Sequence, residues 1–197
     1  MTMRRIWGLT GGMGCGKSTV SAMLRDMGVA IVDADVLTRR VHADAEVSRQ
    51  IAESIGSDVL ENGVISRPRL AAAVFASREK LDALNRIMQP ALRRAAIDAI
   101  QTNRASDVVL DAALLFEASW DDLVERTVVV VSPLAARVQR ITARDPHLNS
   151  AQIEARIASQ WSDRERIARA DAVIYNTGAL GDLRRQAMRA FGAGNSE

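Results

Sequence analysis

Short apolar runs recur along the chain and predict buried strands. They lie at 6–9, 29–32, 108–110, 128–131 and 172–175. The runs are nearly continuous rather than alternating, which is typical of strands covered on both faces of a parallel sheet. Helical patterns separate them: one spans 17–27 and ends at Gly28, and another spans 133–144 with Ser132 as the expected N-cap. This alternation predicts an α/β fold with a five-stranded parallel sheet.

Two segments depart from the alternation. Residues from about 42 to 104 contain helical patterns but no convincing strand, and they predict a helical insert between the second and third strands. Residues from about 146 to 169 predict a mostly polar, Arg-rich helical lid. The sequence is expected to form a single domain over 1–197, with its core in 1–41, 105–145 and 170–197.

Composition excludes several classes of protein. The 197 residues are 48% hydrophobic and 25% charged and include one cysteine, which argues against a disordered chain and against a disulfide-stapled fold. No apolar run approaches a membrane span, and the first residues lack the apolar region of a signal peptide, so we expect a cytoplasmic protein without a membrane partner. Nearly balanced charges, 26 basic against 24 acidic groups, argue against nucleic-acid binding.

A phosphate-binding motif follows the first predicted strand. Residues 11–18, GGMGCGKS, fit the pattern G-x-x-x-x-G-K-[ST], and a predicted helix follows. Glycines allow backbone N–H groups to converge on phosphate oxygens. Lys17 is expected to reach the β- and γ-phosphates of a nucleotide, and the Ser18 hydroxyl to bind Mg²⁺. The predicted ATP-binding residues here are Gly12, Met13, Gly14, Cys15, Gly16, Lys17, Ser18 and Thr19.

Carboxylates follow two of the predicted strands. In open α/β sheets, ligands bind beyond the carboxyl ends of the strands, where Asp33, Asp35 and Asp111 are expected. A kinase needs a carboxylate that accepts the proton of the attacking hydroxyl. We predict Asp35 as this base, Asp33 as its support in the acceptor site, and Asp111 as a Mg²⁺ ligand through water. The alternative for Asp33 and Asp35 is that they cap the following helix.

The class of phosphate-loop protein can be narrowed further. The guanine-binding motif N-K-x-D of GTPases is absent, since Lys17 and Lys80 are the two lysines and neither lies in such a motif. A chain of this length, with a helical insert and an Arg-rich segment, suits a small-molecule kinase. In such enzymes the insert holds the acceptor and the Arg-rich segment closes over ATP, which excludes water.

The sequence resembles the dephospho-coenzyme A kinase family along nearly its whole length. The resemblance is carried, in order, by residues 8–20, 33–35, 111–117, 139–160 and 170–178. It implies a P-loop NTPase-type three-layer fold and transfer of the γ-phosphoryl of ATP to the ribose 3′-hydroxyl of dephospho-CoA. Beyond Asp35 and Lys17, the site residues that it implies are Arg140 or Arg144 as neutraliser of the transferring group, Asn176 and Gly178 near adenine, and Leu115, Phe116 and Glu117 with the acceptor.

Two positions depart from the family pattern. Gln89 stands before Pro90 where the family usually has His, and Ala113 stands where it usually has Pro. Gln89 keeps a hydrogen-bonding group at its position but cannot gain or lose a proton as histidine does.

The alternatives left open for the function are another nucleoside or nucleotide kinase, a nucleotide-binding module without catalysis, and an RNA-binding adaptor using the Arg-rich stretch 137–169. We expect a monomer or a weak homo-oligomer.

Overall fold

A computed structural model describes residues 4–192; the expectations for 1–3 and 193–197 lie outside the described residues. The strands are β1 (Arg5–Thr10), β2 (Ala30–Asp33), β3 (Leu60–Glu61), β4 (Val64–Ile65), β5 (Asp107–Asp111), β6 (Arg126–Val131) and β7 (Ala172–Tyr175). The helices are α1 (Lys17–Asp26), α2 (Ala34–Ala43), α3 (Ala45–Ile55), α4 (Arg67–Phe75), α5 (Arg78–Thr102), α6 (Leu134–Arg144), α7 (Ser150–Ala158), α8 (Asp163–Arg169) and α9 (Leu180–Ala190).

The chain divides into two compact units. The first comprises Met1–Val32 and Thr102–Glu197, and the second is the continuous stretch Asp33–Gln101. The boundaries therefore fall at Asp33 and Gln101, whereas the sequence pattern placed the insert at about 42–104. Among the described residues, none of the helices has the length and hydrophobicity that crossing a membrane requires.

The first unit is built on the predicted five-stranded parallel sheet, in the order β2-β5-β1-β6-β7. Strand β1 lies at its centre, and Trp7 pairs with Val109 of β5 on one side and with Arg126 of β6 on the other. The continuous apolar runs follow from this position, because a central parallel strand is covered on both faces. Helices α1 and α9 cover one face, where Val20 and Leu183 pack in the core.

Helix α6 begins one residue later than the sequence predicts. Pro133 is its N-cap residue, and no side chain caps the helix. The expectation that Ser132 caps it is therefore wrong. The Ser132 hydroxyl instead donates to the Asn176 carbonyl at 2.8 Å, which joins the carboxyl ends of β6 and β7. The Ser132 hydroxyl thus bonds between the ends of two neighbouring strands instead of capping the helix that follows it.

The second unit is helical, with one exception. Strands β3 and β4 form a short antiparallel hairpin in a segment where the sequence pattern predicted none. Its two-residue turn, Asn62–Gly63, has φ values of 52° and 79°, the left-handed backbone of an Asn-Gly hairpin turn. The Asn-Gly signal was present in the sequence, but strands of two residues are too short to show periodicity. Ile65 at the end of the hairpin packs with Val59 and Met88 in this unit's core.

Candidate active site

The phosphate loop joins β1 to α1, as the motif predicts. Gly14 and Gly16 have φ values of 76° and 97°, which only glycine adopts readily. At Gly16 an added Cβ would also collide with the Asn176 amide nitrogen. The N-cap residue Gly16 has no side chain to cap α1, and the N–H of Ser18 in the first turn is available to an anion. The loop has the backbone that a phosphate cradle requires.

The Lys17 ammonium is held by Asp111, the last residue of β5. Lys17 Nζ donates to Asp111 Oδ1, and the Ser21 hydroxyl of α1 donates to Asp111 Oδ2. Asp111 is only 6% exposed, and both of its oxygens are occupied by α1. This carboxylate therefore orients Lys17 at the loop. Its role as a Mg²⁺ ligand through water stays a prediction. No motif pointed to Ser21, which is one helical turn beyond Lys17.

Two further side chains hold the second half of the loop. The Asn176 amide donates to the Cys15 carbonyl at 2.9 Å, and Arg140 Nη1 donates to the Gly14 carbonyl at 3.1 Å. The Cys15 thiol is buried in the sheet core, and this burial raises its pKa, which agrees with a packing role. Gly178 lies exposed on the turn after β7. Contact of Asn176 and Gly178 with adenine stays a prediction.

The two arginines predicted to neutralise the transferring group lie in different environments. The Arg140 guanidinium reaches the phosphate loop and also donates to the Ser132 hydroxyl at 2.9 Å. Arg144 pairs with its neighbour Asp145, and its side chain is 63% exposed. The geometry therefore favours Arg140 for this role.

The backbone N–H and carbonyl of Met13 are both bound by side chains to which the sequence analysis gave no site role. Its N–H donates to the Gln160 side-chain oxygen at 2.8 Å, and its carbonyl accepts from Arg137 Nε at 2.7 Å. Arg137 is buried and pairs with Asp163 at 3.4 Å. One feature of the sequence could have indicated Arg137: it lies one turn before Ile141, on the buried face of α6. A charged group in such a position needs polar partners.

The residues after β5 that were assigned to the acceptor are largely buried. Leu115 and Phe116 are 0% and 2% exposed, and the Phe116 ring stacks on Trp161 with centroids 6.3 Å apart. Glu117 accepts from Arg166 at 2.6 Å, and the fully buried Arg166 also donates to the Trp161 carbonyl. Contact of these side chains with the acceptor is untested. In this structure they anchor α8 to the sheet unit.

Asp33 and Asp35 belong to the second unit. Asp33 Oδ1 accepts from the N–H groups of Asp35 at 2.8 Å and Val36 at 3.2 Å, so it caps α2. The Asp35 carboxylate is exposed and has no hydrogen-bond partner among the described residues. Gln89 is exposed on α5. The structure thus gives Asp33 a local capping role and leaves the Asp35 carboxylate accessible.

The residues at the loop fit a magnesium ion that arrives with the nucleotide. Among the described residues, no group of three His, Cys, Asp or Glu side chains could form a metal cage. Mg²⁺ in phosphotransferases is held mainly by water and substrate phosphates, with one or two protein oxygens. The Ser18 hydroxyl is exposed in the first turn of α1 and can supply one such oxygen.

The parallel sheet, the phosphate loop after its central strand and the arginine at that loop define a P-loop kinase. The family model described as dephospho-CoA kinase matches residues 5–182. The chain therefore belongs to the dephospho-CoA kinase family.

Similar proteins agree with this assignment. The dephospho-CoA kinase of Geobacillus kaustophilus is 39% identical over 184 residues, which cover 91% of each chain. That of Corynebacterium diphtheriae is 40% identical over 188 residues, covering 93% of this chain and 94% of the relative. A crystal structure from Thermus thermophilus superposes with a TM-score of 0.83 at 34% identity and covers 99% of this chain and 100% of its own.

Proposed function

We propose that the chain transfers the γ-phosphoryl group of ATP to the ribose 3′-hydroxyl of dephospho-CoA, which gives CoA and ADP. The observation that carries this proposal is an intact phosphate loop, with Lys17 held by Asp111, in a chain of the dephospho-CoA kinase family. Phosphoryl transfer depends mainly on positioning and on stabilising the charge of the terminal phosphate. The loop N–H groups, Lys17 and Arg140 supply this stabilisation.

Asp35 is the proposed general base. Its carboxylate accepts the proton of the 3′-hydroxyl as the ribose oxygen forms its bond to the γ-phosphorus, and the bond to the β-phosphate oxygen breaks to release ADP. When bound, Mg²⁺ would neutralise phosphate charge, with the Ser18 hydroxyl as a ligand. Acceptor binding by the helical unit is part of the proposal. A cytoplasmic location and a monomeric or weakly self-associating state stay predictions from the sequence.

Replacement of the proposed base tests this mechanism. We expect Asp35→Asn to lower kcat by roughly 10²–10⁴-fold, the contribution typical of general acid–base catalysis, without changing ATP affinity. The matched control is Asp33→Asn. Asparagine is as good an N-cap as aspartate, so this variant keeps α2 intact and tests only the proposed support role of the charge. Near-normal turnover by Asp35→Asn would overturn the base assignment.

An acceptor screen tests the substrate. ADP release is measured with dephospho-CoA, adenosine and AMP, each at saturating ATP. We expect release to depend on dephospho-CoA. A preference for adenosine or AMP would instead identify a nucleoside or nucleotide kinase, and ATP binding without acceptor-dependent release would indicate a module without catalysis. Retention on RNA that falls steeply with salt would support the adaptor alternative.

A further inference from the structure

The Gln160 side chain is attached to the phosphate loop in a defined orientation. Gln160 lies between α7 and α8, and its Oε1 accepts the Met13 N–H at 2.8 Å. A backbone N–H can only donate, so the oxygen of the amide must face the loop. The orientation of the amide is therefore fixed by the chemistry of its partner.

The Met13 N–H is not available to a phosphate, because it donates to Gln160. The following peptide is held separately, since Arg137 Nε donates to the Met13 carbonyl at 2.7 Å and Arg137 is itself buried and paired with Asp163. At this point of the loop, any hydrogen bond to a nucleotide must come from another group.

The nitrogen end of the Gln160 amide is that group. Nε2 carries two N–H donors, and no described residue accepts from them. Because Nε2 and Oε1 are bonded to the same carbon, these donors lie beside the oxygen that contacts the loop. The first N–H groups of α1 serve the inner phosphates, and Lys17 reaches the outer ones from the helix side. Gln160 instead bonds to Met13, which lies four residues before Lys17 in the half of the loop that follows β1.

We propose that Gln160 binds the γ-phosphate: Nε2 donates to the phosphoryl group being transferred while Oε1 keeps the Met13 peptide in place. A donor positioned in advance by a second hydrogen bond stabilises charge on the transferring group without reorganisation. Gln160 thus recognises ATP rather than ADP. This inference rests on the proposed ATP-dependent transfer, but nucleotide affinities test it without any acceptor.

The decisive variant is Gln160→Glu. A glutamate keeps an oxygen for the Met13 N–H but replaces the donor with a negative charge. We expect the affinity for a non-hydrolysable ATP analogue to fall by roughly tenfold or more, as for a lost hydrogen bond to a charged group, and the ADP affinity to stay within about twofold, both measured by calorimetry. The kcat should fall, while the KM for dephospho-CoA stays unchanged.

Gln152→Glu is the matched control. Gln152 forms the capping box of α7, a position where glutamate serves equally well, and it adds the same charge to the same segment. Nucleotide affinities should not change. Equal weakening of the ATP analogue and ADP by Gln160→Glu would mean that Gln160 only shapes the loop, and unchanged affinities would mean that it does not touch the nucleotide; both overturn the inference. If the wild type still prefers ATP over ADP through Gln160 but the acceptor screen fails, the inference stands and the proposed acceptor is rejected.

Discussion

The buried ion pair between Arg166 and Glu117 gives a prediction about stability. Arg166 is 0% exposed, and its guanidinium donates to Glu117 and to the Trp161 carbonyl. Arg166→Met keeps an unbranched side chain of similar length but removes the charge. Glu117, whose side chain is 17% exposed, would then lie mostly buried without its cation. Arg166→Met should therefore be strongly destabilising.

The size of the effect follows from the burial of both partners. Removing one partner of a buried pair typically costs 3–5 kcal/mol, and the partial exposure of Glu117 places this pair near about 3 kcal/mol. For a chain of this size, each kcal/mol lowers Tm by roughly 2–4 °C, so we expect a decrease of about 6–12 °C. Arg166 Nε and Glu117 Oε2 are buried without partners, so the pair is imperfectly satisfied and its joint removal should cost less.

Thermal unfolding of three variants separates the causes. Arg166→Met should show the full loss, and the double variant Arg166→Met/Glu117→Gln should recover about half of it or more, because no charge remains buried. Arg164→Met, an exposed arginine of the same helix, is the control and should melt like the wild type. A Tm for Arg166→Met within about 2 °C of wild type would refute the reasoning. A double variant no better than the single one would exclude unpaired charge as the cause.

Two further predictions concern titrating groups of the same unit. The Asp171 carboxylate accepts the Thr127 N–H at 2.7 Å and its hydroxyl at 2.9 Å, and these bonds lower the pKa of Asp171. The carboxylate of Asp171 therefore stabilises the fold above its ordinary pKa of about 4, and this stabilisation is lost as the pH falls through the lower pKa of the folded state. In urea unfolding at neutral pH, Asp171→Asn should lower the free energy of unfolding by about 1 kcal/mol. A difference between the variant and the wild type that failed to narrow in acid would contradict this. The Cys15 thiol, whose pKa burial raises, should resist iodoacetamide until the chain unfolds; rapid alkylation of the native protein, seen by intact mass, would disprove it.

Local patterns in the sequence were sufficient to predict the sheet and the phosphate loop. Continuous apolar runs indicate strands buried on both faces, and the structure contains the five-stranded parallel sheet that they predict. Gly14 and Gly16 adopt the left-handed backbone that the motif requires. These features depend on neighbouring residues, so they can be inferred without knowing how distant parts of the chain meet.

The side chains that hold the loop could not be predicted in this way. Arg137 binds the Met13 carbonyl across 124 residues, and Gln160 binds the Met13 N–H across 147. Within an Arg-rich sequence, nothing in the local pattern separates Arg166 from the exposed Arg144. For Arg137, the apolar face of α6 indicates burial but not the partner. Glu117 pairs with Arg166, a contact that no local pattern indicated, and its contact with the acceptor stays a prediction.

The position of β1 has a consequence for the order in which the chain assembles on the ribosome. Strand β1 is made first, yet Arg5 pairs with Asp107, 102 residues downstream. At a synthesis rate of about 5–20 residues per second, roughly 5–20 s pass before that partner exists. The helical unit, Asp33–Gln101, is contiguous and is complete before β5 is made. The contact of the phosphate loop's Lys17 with Asp111 therefore forms only after more than half of the chain has emerged. In the meantime, the nascent β1 is an apolar segment that chaperones can bind.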